Sequence, residues 1–101
     1  MSKISIDSVI PGIHGYCQVG SDRYPITVMR TSKNRRFVWA RFENFVAAPG
    51  HDYHGNQKWK ITPNPKVDPV KFCWTPSRGA YCGDGGVLYD GGWDAYQDPC
   101  F

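Results

Sequence analysis

The chain has 101 residues, a net charge of +3 and 15% aromatic residues, so it has room for one domain with a thin core, and its aromatic content argues against disorder. One leucine and one glutamate stand against eight valines and six isoleucines, which excludes a helical bundle, because β-branched and aromatic residues favour strands. No apolar run reaches the roughly 18 residues of a transmembrane helix.

Ile4 and Ile6 alternate with Ser5 and Asp7, which predicts a short first strand broken by Pro11-Gly12 and His14-Gly15. A second strand is expected over 16–19, then a turn at Gly20-Ser21-Asp22. Residues 24–30 read as a strand with Pro25 near its start, where a missing N–H is tolerated. After the polar turn Thr31-Ser32-Lys33-Asn34, residues 36–42 set Phe37, Trp39 and Arg41 against Val38, Ala40 and Phe42. Large apolar groups on both faces predict a central strand and the clearest hairpin in the chain. Residues 43–48 are assigned one helical turn and 49–56 a loop. Residues 57–62 form a half-buried strand, with Trp59 and Ile61 facing the core and Lys58 and Lys60 facing away. Pro63-Asn64-Pro65 and Asp68-Pro69 make a rigid connection to a returning strand over 70–74. Six glycines in 79–92 predict loop or irregular strand. Aromatic residues at the end predict a tail docked on the barrel or on a neighbouring subunit. The sum is a single all-β domain over residues 1–101, a small SH3-like antiparallel barrel of five to seven short strands with a docked C-terminal tail.

The net charge hides a division. Six basic residues and no acid lie between Arg23 and Phe42, whereas four aspartates and no base lie between Gly79 and Phe101. A basic segment interleaved with aromatics suits an anion that carries an aromatic ring: Arg pairs phosphates and an aromatic face stacks a base. Arg23, Tyr24, Arg35, Arg36, Trp39 and Arg41 are therefore the candidate ligand-binding residues, with Arg23 and Arg36 on phosphate and Tyr24 and Trp39 on the base. Trp93, Tyr96 and Phe101 are the candidate interface anchors.

Other chemistries are less well supplied. His51-Asp52-Tyr53-His54 carries metal-ligand types, but Pro49, Gly50 and Gly55 argue against the helix that would align them, and His14 is the one further histidine; no metal or cofactor is expected. The cysteines (Cys17, Cys73, Cys82, Cys100) lack Cys-x-x-Cys spacing and are expected as free thiols, a Cys73–Cys82 disulfide being the alternative. No Gly-x-Ser-x-Gly or Gly-Lys-Ser/Thr motif occurs, so an enzyme, for instance a hydrolase, is the lesser reading. The N-terminus shows no apolar h-region, so a cytosolic location is expected.

Three segments in order, Gly20-Ser21-Asp22-Arg23-Tyr24-Pro25-Ile26-Thr27-Val28 (followed by the basic hairpin from Thr31 to Phe42), Ile61-Thr62-Pro63-Asn64-Pro65 and Asp94-Ala95-Tyr96-Gln97-Asp98-Pro99-Cys100-Phe101, resemble a group of small phage-encoded β proteins. Ser77 to Cys82 carries only Arg78 where that pattern places a basic stretch. The resemblance spans residues 15–101 and implies a viral accessory protein in the host cytoplasm, not a particular reaction. Three functions follow as expectations. The first is sequestration of a small anionic nucleotide, a host immune signal, at a homo-oligomer interface. The second is nucleic-acid binding, and the third is a virion or host-enzyme-inhibiting protein module. No membrane partner is expected.

Overall fold

The computed structural model describes residues 2–99. Its strands are β1 (His14–Val19), β2 (Asp22–Thr31), β3 (Phe37–Phe42), β4 (Asn44–Ala47), β5 (Trp59–Thr62), β6 (Val70–Thr75), β7 (Ala80–Gly83) and β8 (Gly86–Tyr89), with no helix among the described residues. Six of them close an antiparallel barrel in the order β1-β2-β3-β6-β7-β8. The β4–β5 hairpin is inserted between β3 and β6 as a separate two-stranded sheet, an arm on the barrel.

Period-two alternation builds the core. Cys17 on β1, Ile26 and Val28 on β2, Val38 and Ala40 on β3, Phe72 on β6, Tyr81 on β7 and Leu88 on β8 are all buried in one cluster. The closed ring leaves no exposed barrel edge. One end is plugged by the N-terminal segment, whose Ile4 and Val9 join the core while the Ile4 amide donates to the Leu88 carbonyl. Pro25 lies well inside β2, and its carbonyl accepts the Glu43 amide where β3 gives way to the arm.

Three expectations are corrected. Residues 4–7 form no strand; Lys3 makes a single bridge to Tyr89 and the chain then turns at 6–8, because Ile4 and Val9 are used as a plug. Residues 44–47 are strand β4, not a helical turn, since they pair with β5 from Asn44↔Thr62 to Ala47↔Trp59. Trp59 accordingly packs within the arm against Phe45 (5.1 Å) and His51 (4.4 Å), outside the barrel core. Finally, the glycine-rich segment contains two regular strands, β7 and β8, which close the ring. Asp84 (φ 51°) and Gly85 (φ 77°) make the two-residue turn between them, and positive φ at both central positions is the type I′ pattern that Asp-Gly favours. Gly83 and Gly86 serve close approach. A Cβ on Gly86 would lie 2.5 Å from Cys17 Sγ and 2.8 Å from the Gln18 carbonyl oxygen, and one on Gly83 would lie 2.9 Å from the Lys71 carbonyl oxygen.

Cys73 and Cys82 sit directly opposite each other on β6 and β7 as free thiols, and Cys17 is also free. Burial, with the Asp84 charge adding to it, pushes the Cys17 thiol up to about 12. The native protein treated with iodoacetamide at pH 8 and mapped by mass spectrometry is expected to be alkylated at exposed Cys73 and to stay unmodified at Cys17 until denaturant is added. Gly86→Ala is expected to lower unfolding free energy by about 1–3 kcal/mol in urea titration, since the close pairing of β8 with β1 leaves no space for a methyl group.

Candidate functional site

Glu43, the sole glutamate, lies in the break between β3 and β4 with a buried side chain. Its carboxylate accepts from Arg41 Nε (2.9 Å) and Arg41 Nη2 (2.9 Å), a bidentate pair, from the Thr27 hydroxyl (2.6 Å) and from the Asn64 amide (2.9 Å). Burial pushes this carboxyl up, but the bonds from Arg41, Thr27 and Asn64 outweigh it and hold the group below its ordinary value. Thr27 in turn accepts from Trp93 Nε1 (3.1 Å), and the Trp93 ring stacks on His14 at 4.2 Å. The C-terminal segment continues along β2, with Arg23 and Tyr96 exchanging backbone hydrogen bonds of 2.9 and 3.0 Å and Asp94 pairing with Arg23 at 2.9 Å.

This layer decides which candidate residues are available. Arg41 is committed to Glu43 and Arg23 to Asp94, so two of the four candidate arginines serve the fold. Trp93 and Tyr96 are held against the barrel's own wall, and Phe101 lies outside the described residues. Nor do the remaining candidates form one pocket. Tyr24 faces inward at one end of the barrel, edge-on to Phe42 (6.4 Å) and Phe45 (6.0 Å). Trp39 alternates with buried Val38 and Ala40 and so faces outward. Arg36 precedes β3 at the far end, roughly 20 Å from Phe42 at strand rise. Arg23 and Arg36 on phosphate with Tyr24 and Trp39 on one base is therefore not the arrangement present.

What does assemble is a face. A β-bulge at Val28/Arg30 inserts Met29 and resets the phase of β2, so that Arg30 pairs with outward Trp39 instead of following Val28 into the core by alternation. On its other side Trp39 pairs with Lys71 of β6. The result is a cross-strand row, Arg30–Trp39–Lys71, with the Arg30 guanidinium 3.9 Å above the Trp39 ring and Lys71 Nζ 4.9 Å from the Phe37 ring. The adjoining β2–β3 turn adds exposed Lys33, Arg35 and Arg36. That turn is fixed: the Tyr81 hydroxyl donates to the Arg35 carbonyl at 2.6 Å, Phe37 N–H donates to Ser32 Oγ at 3.1 Å and Arg36 N–H to Asn34 Oδ1 at 3.1 Å. Among the described residues the ion pairs are those of Arg23 and Arg41, so these five cations carry no carboxylate partner. Asp7 lies beside the turn, its backbone carbonyl accepting from Arg35 Nη1. Sequence reasoning missed Arg30 and Lys71. Lys71 alternates outward on its strand, but only the β3–β6 pairing brings it to Trp39.

A second feature occupies the opposite end. Val19, Tyr24, Phe42 and Asp84 line a cavity of about 300 Å³ at the barrel mouth, and its one charged group is acidic. The histidines of the arm build no metal centre: His51 Nδ1 accepts the Lys58 amide at 2.9 Å, and no group of three His, Cys, Asp or Glu side chains suited to a metal occurs among the described residues. Comparison with known proteins finds no matching family model, no matching curated protein and no matching solved structure.

Glu43→Gln is expected to cost about 2–4 kcal/mol of stability, because it leaves the Arg41 charge without its counter-ion in a largely buried site. The sign of the pH dependence follows from the depressed carboxyl. Its stabilisation is complete above the ordinary carboxylate pKa of about 4.3 and is lost as pH falls through the lowered folded value. Urea midpoints measured from pH 7 to pH 3 are expected to fall more steeply for the wild type than for Glu43→Gln.

Proposed function

We propose that this chain is a non-catalytic binding protein for single-stranded nucleic acid, held across the outer face of β2, β3 and β6. The observation that carries the reading is the Arg30–Trp39–Lys71 row, with Lys33, Arg35 and Arg36 at its end and, among the described residues, no carboxylate paired to any of them. Such a surface combines a base-stacking platform with cations on either side of it and at its end, the two elements that sequence-tolerant single-strand binders use. Arg30 extends the platform, since a guanidinium plane stacks on a base as an aromatic ring does.

The face is open and convex, which suits a polymer running over it better than a mononucleotide that needs enclosure. The cavity at the mouth is no better for a small anion, because Asp84 would repel its phosphates. The resemblance to small phage-encoded proteins fits a role in an infected host's cytoplasm, where exposed single strands are abundant during replication.

Fluorescence anisotropy with labelled oligo-dT tests the reading. Affinity is expected to fall with salt at a log–log slope of about −3, as for some four phosphate contacts at −0.7 each, and Arg36→Ala is expected to remove about 0.7 of that slope. Trp39→Leu is expected to weaken binding by about 1–3 kcal/mol, the worth of one stacked base. Absence of binding at 50 mM salt, or binding unaffected by Trp39→Leu and Arg36→Ala, would contradict the proposal.

A further inference from the structure

The geometry points to a second, chemically opposite site: the barrel mouth binds a small organic ammonium ion with an apolar or aromatic body. Val19 ends β1, Tyr24 lies near the start of β2, Phe42 ends β3 and Asp84 sits in the β7–β8 turn, so four separate elements converge on one opening. Its volume of about 300 Å³ matches the smaller ligand pockets of proteins. Three lining residues offer apolar or aromatic surface. Tyr24 and Phe42 stand edge to face at 6.4 Å, which leaves aromatic surface turned to the cavity. The aromatic wall extends beyond Tyr24 to Phe45 at 6.0 Å.

Charge selects among ligands that fit this space. The Asp84 carboxylate has no hydrogen bond and no ion pair among the described residues. Asp22 adds a second carboxylate at this end, accepting from the Tyr24 hydroxyl at 3.4 Å. Among the described residues no lysine or arginine lines the opening. An aromatic wall beside an unpaired carboxylate is the arrangement that holds ammonium groups, through the ring quadrupole on one side and an ion pair on the other. Phosphates and carboxylates are disfavoured by the same charges. The site lies at the end of the barrel away from the cationic turn, so it stands or falls independently of nucleic-acid binding.

The test uses three probes of one shape, 2-phenylethylamine, 2-phenylethanol and phenylacetate, titrated by NMR at pH 7 and low ionic strength. The amine is expected to bind tightest, with shifts at Val19, Tyr24, Phe42 and Asp84, followed by the alcohol and then the carboxylate. Asp84→Asn keeps the turn, because Asn-Gly favours the same type I′ geometry, and is expected to weaken the amine about fivefold, within the range of an exposed ion pair, while leaving the alcohol unchanged. Tyr24→Leu is expected to weaken both. Phenylacetate binding as tightly as the amine, an amine affinity indifferent to Asp84→Asn, shifts centred away from the mouth, or no binding of any probe at 10 mM would overturn the assignment.

Discussion

Glu43 accepts four hydrogen bonds from three parts of the chain: Thr27 on β2, Arg41 on β3 and the Asn64 amide in the connection that returns from the arm. Thr27 passes the network on to Trp93 and so to the C-terminal segment. One carboxylate thus marks where the barrel wall ends and the arm begins, and ties both to the chain that crosses the outside of β2. Such a site is stable only when complete, since each donor left without its acceptor in a buried setting costs more than a typical hydrogen bond contributes. Gln57 and Tyr53 extend the same logic to the arm's loop, bonding Gln97 and Asp98 of the tail.

The network also sorts the charges. Arg41 and Arg23 are neutralised by Glu43 and Asp94, whereas among the described residues the cations of the β2–β3 turn and the Arg30–Lys71 row, like the exposed arm lysines Lys58, Lys60 and Lys66, have no carboxylate partner. Asp22 and Asp84 sit at the other end, around the mouth. The two ends of the barrel therefore differ: the β2–β3 turn carries Lys33, Arg35 and Arg36, and the mouth carries Asp22 and Asp84. A bulge of one residue sharpens this by turning Arg30 out to cover Trp39. Bulges commonly re-aim a side chain next to a functional surface, and here the re-aimed side chain completes the cationic row.

The all-β character was legible from composition alone, and the 24–42 hairpin from alternation. Period two also predicted that Val38 and Ala40 share a face opposite Trp39. What escaped were features fixed by pairing between distant segments. Lys71 is a ligand candidate only because β6 lies beside β3, and no local pattern encodes that neighbour. The glycine-rich stretch read as irregular because glycine weakens a strand, whereas here Gly83 and Gly86 are the residues that let the ring close. Ile4 and Ile6 alternate as a strand would, yet Ile4 is taken by the plug. The basic segment is visible in the sequence as a block, but its division into paired and unpaired arginines depends on Glu43 and Asp94, whose positions only the fold supplies.

The most direct measurement of that division is the arginine side-chain Nε–H spectrum of the labelled protein, recorded with and without a single-stranded oligonucleotide. The account predicts shifts confined to Arg30, Arg35 and Arg36, with Trp39 Nε1–H moving alongside them and the Arg23 and Arg41 signals unchanged. Shifts at Arg23 and Arg41 with Arg30 and Arg36 silent would contradict it, because the arginines assigned to the fold would then be the ones that bind.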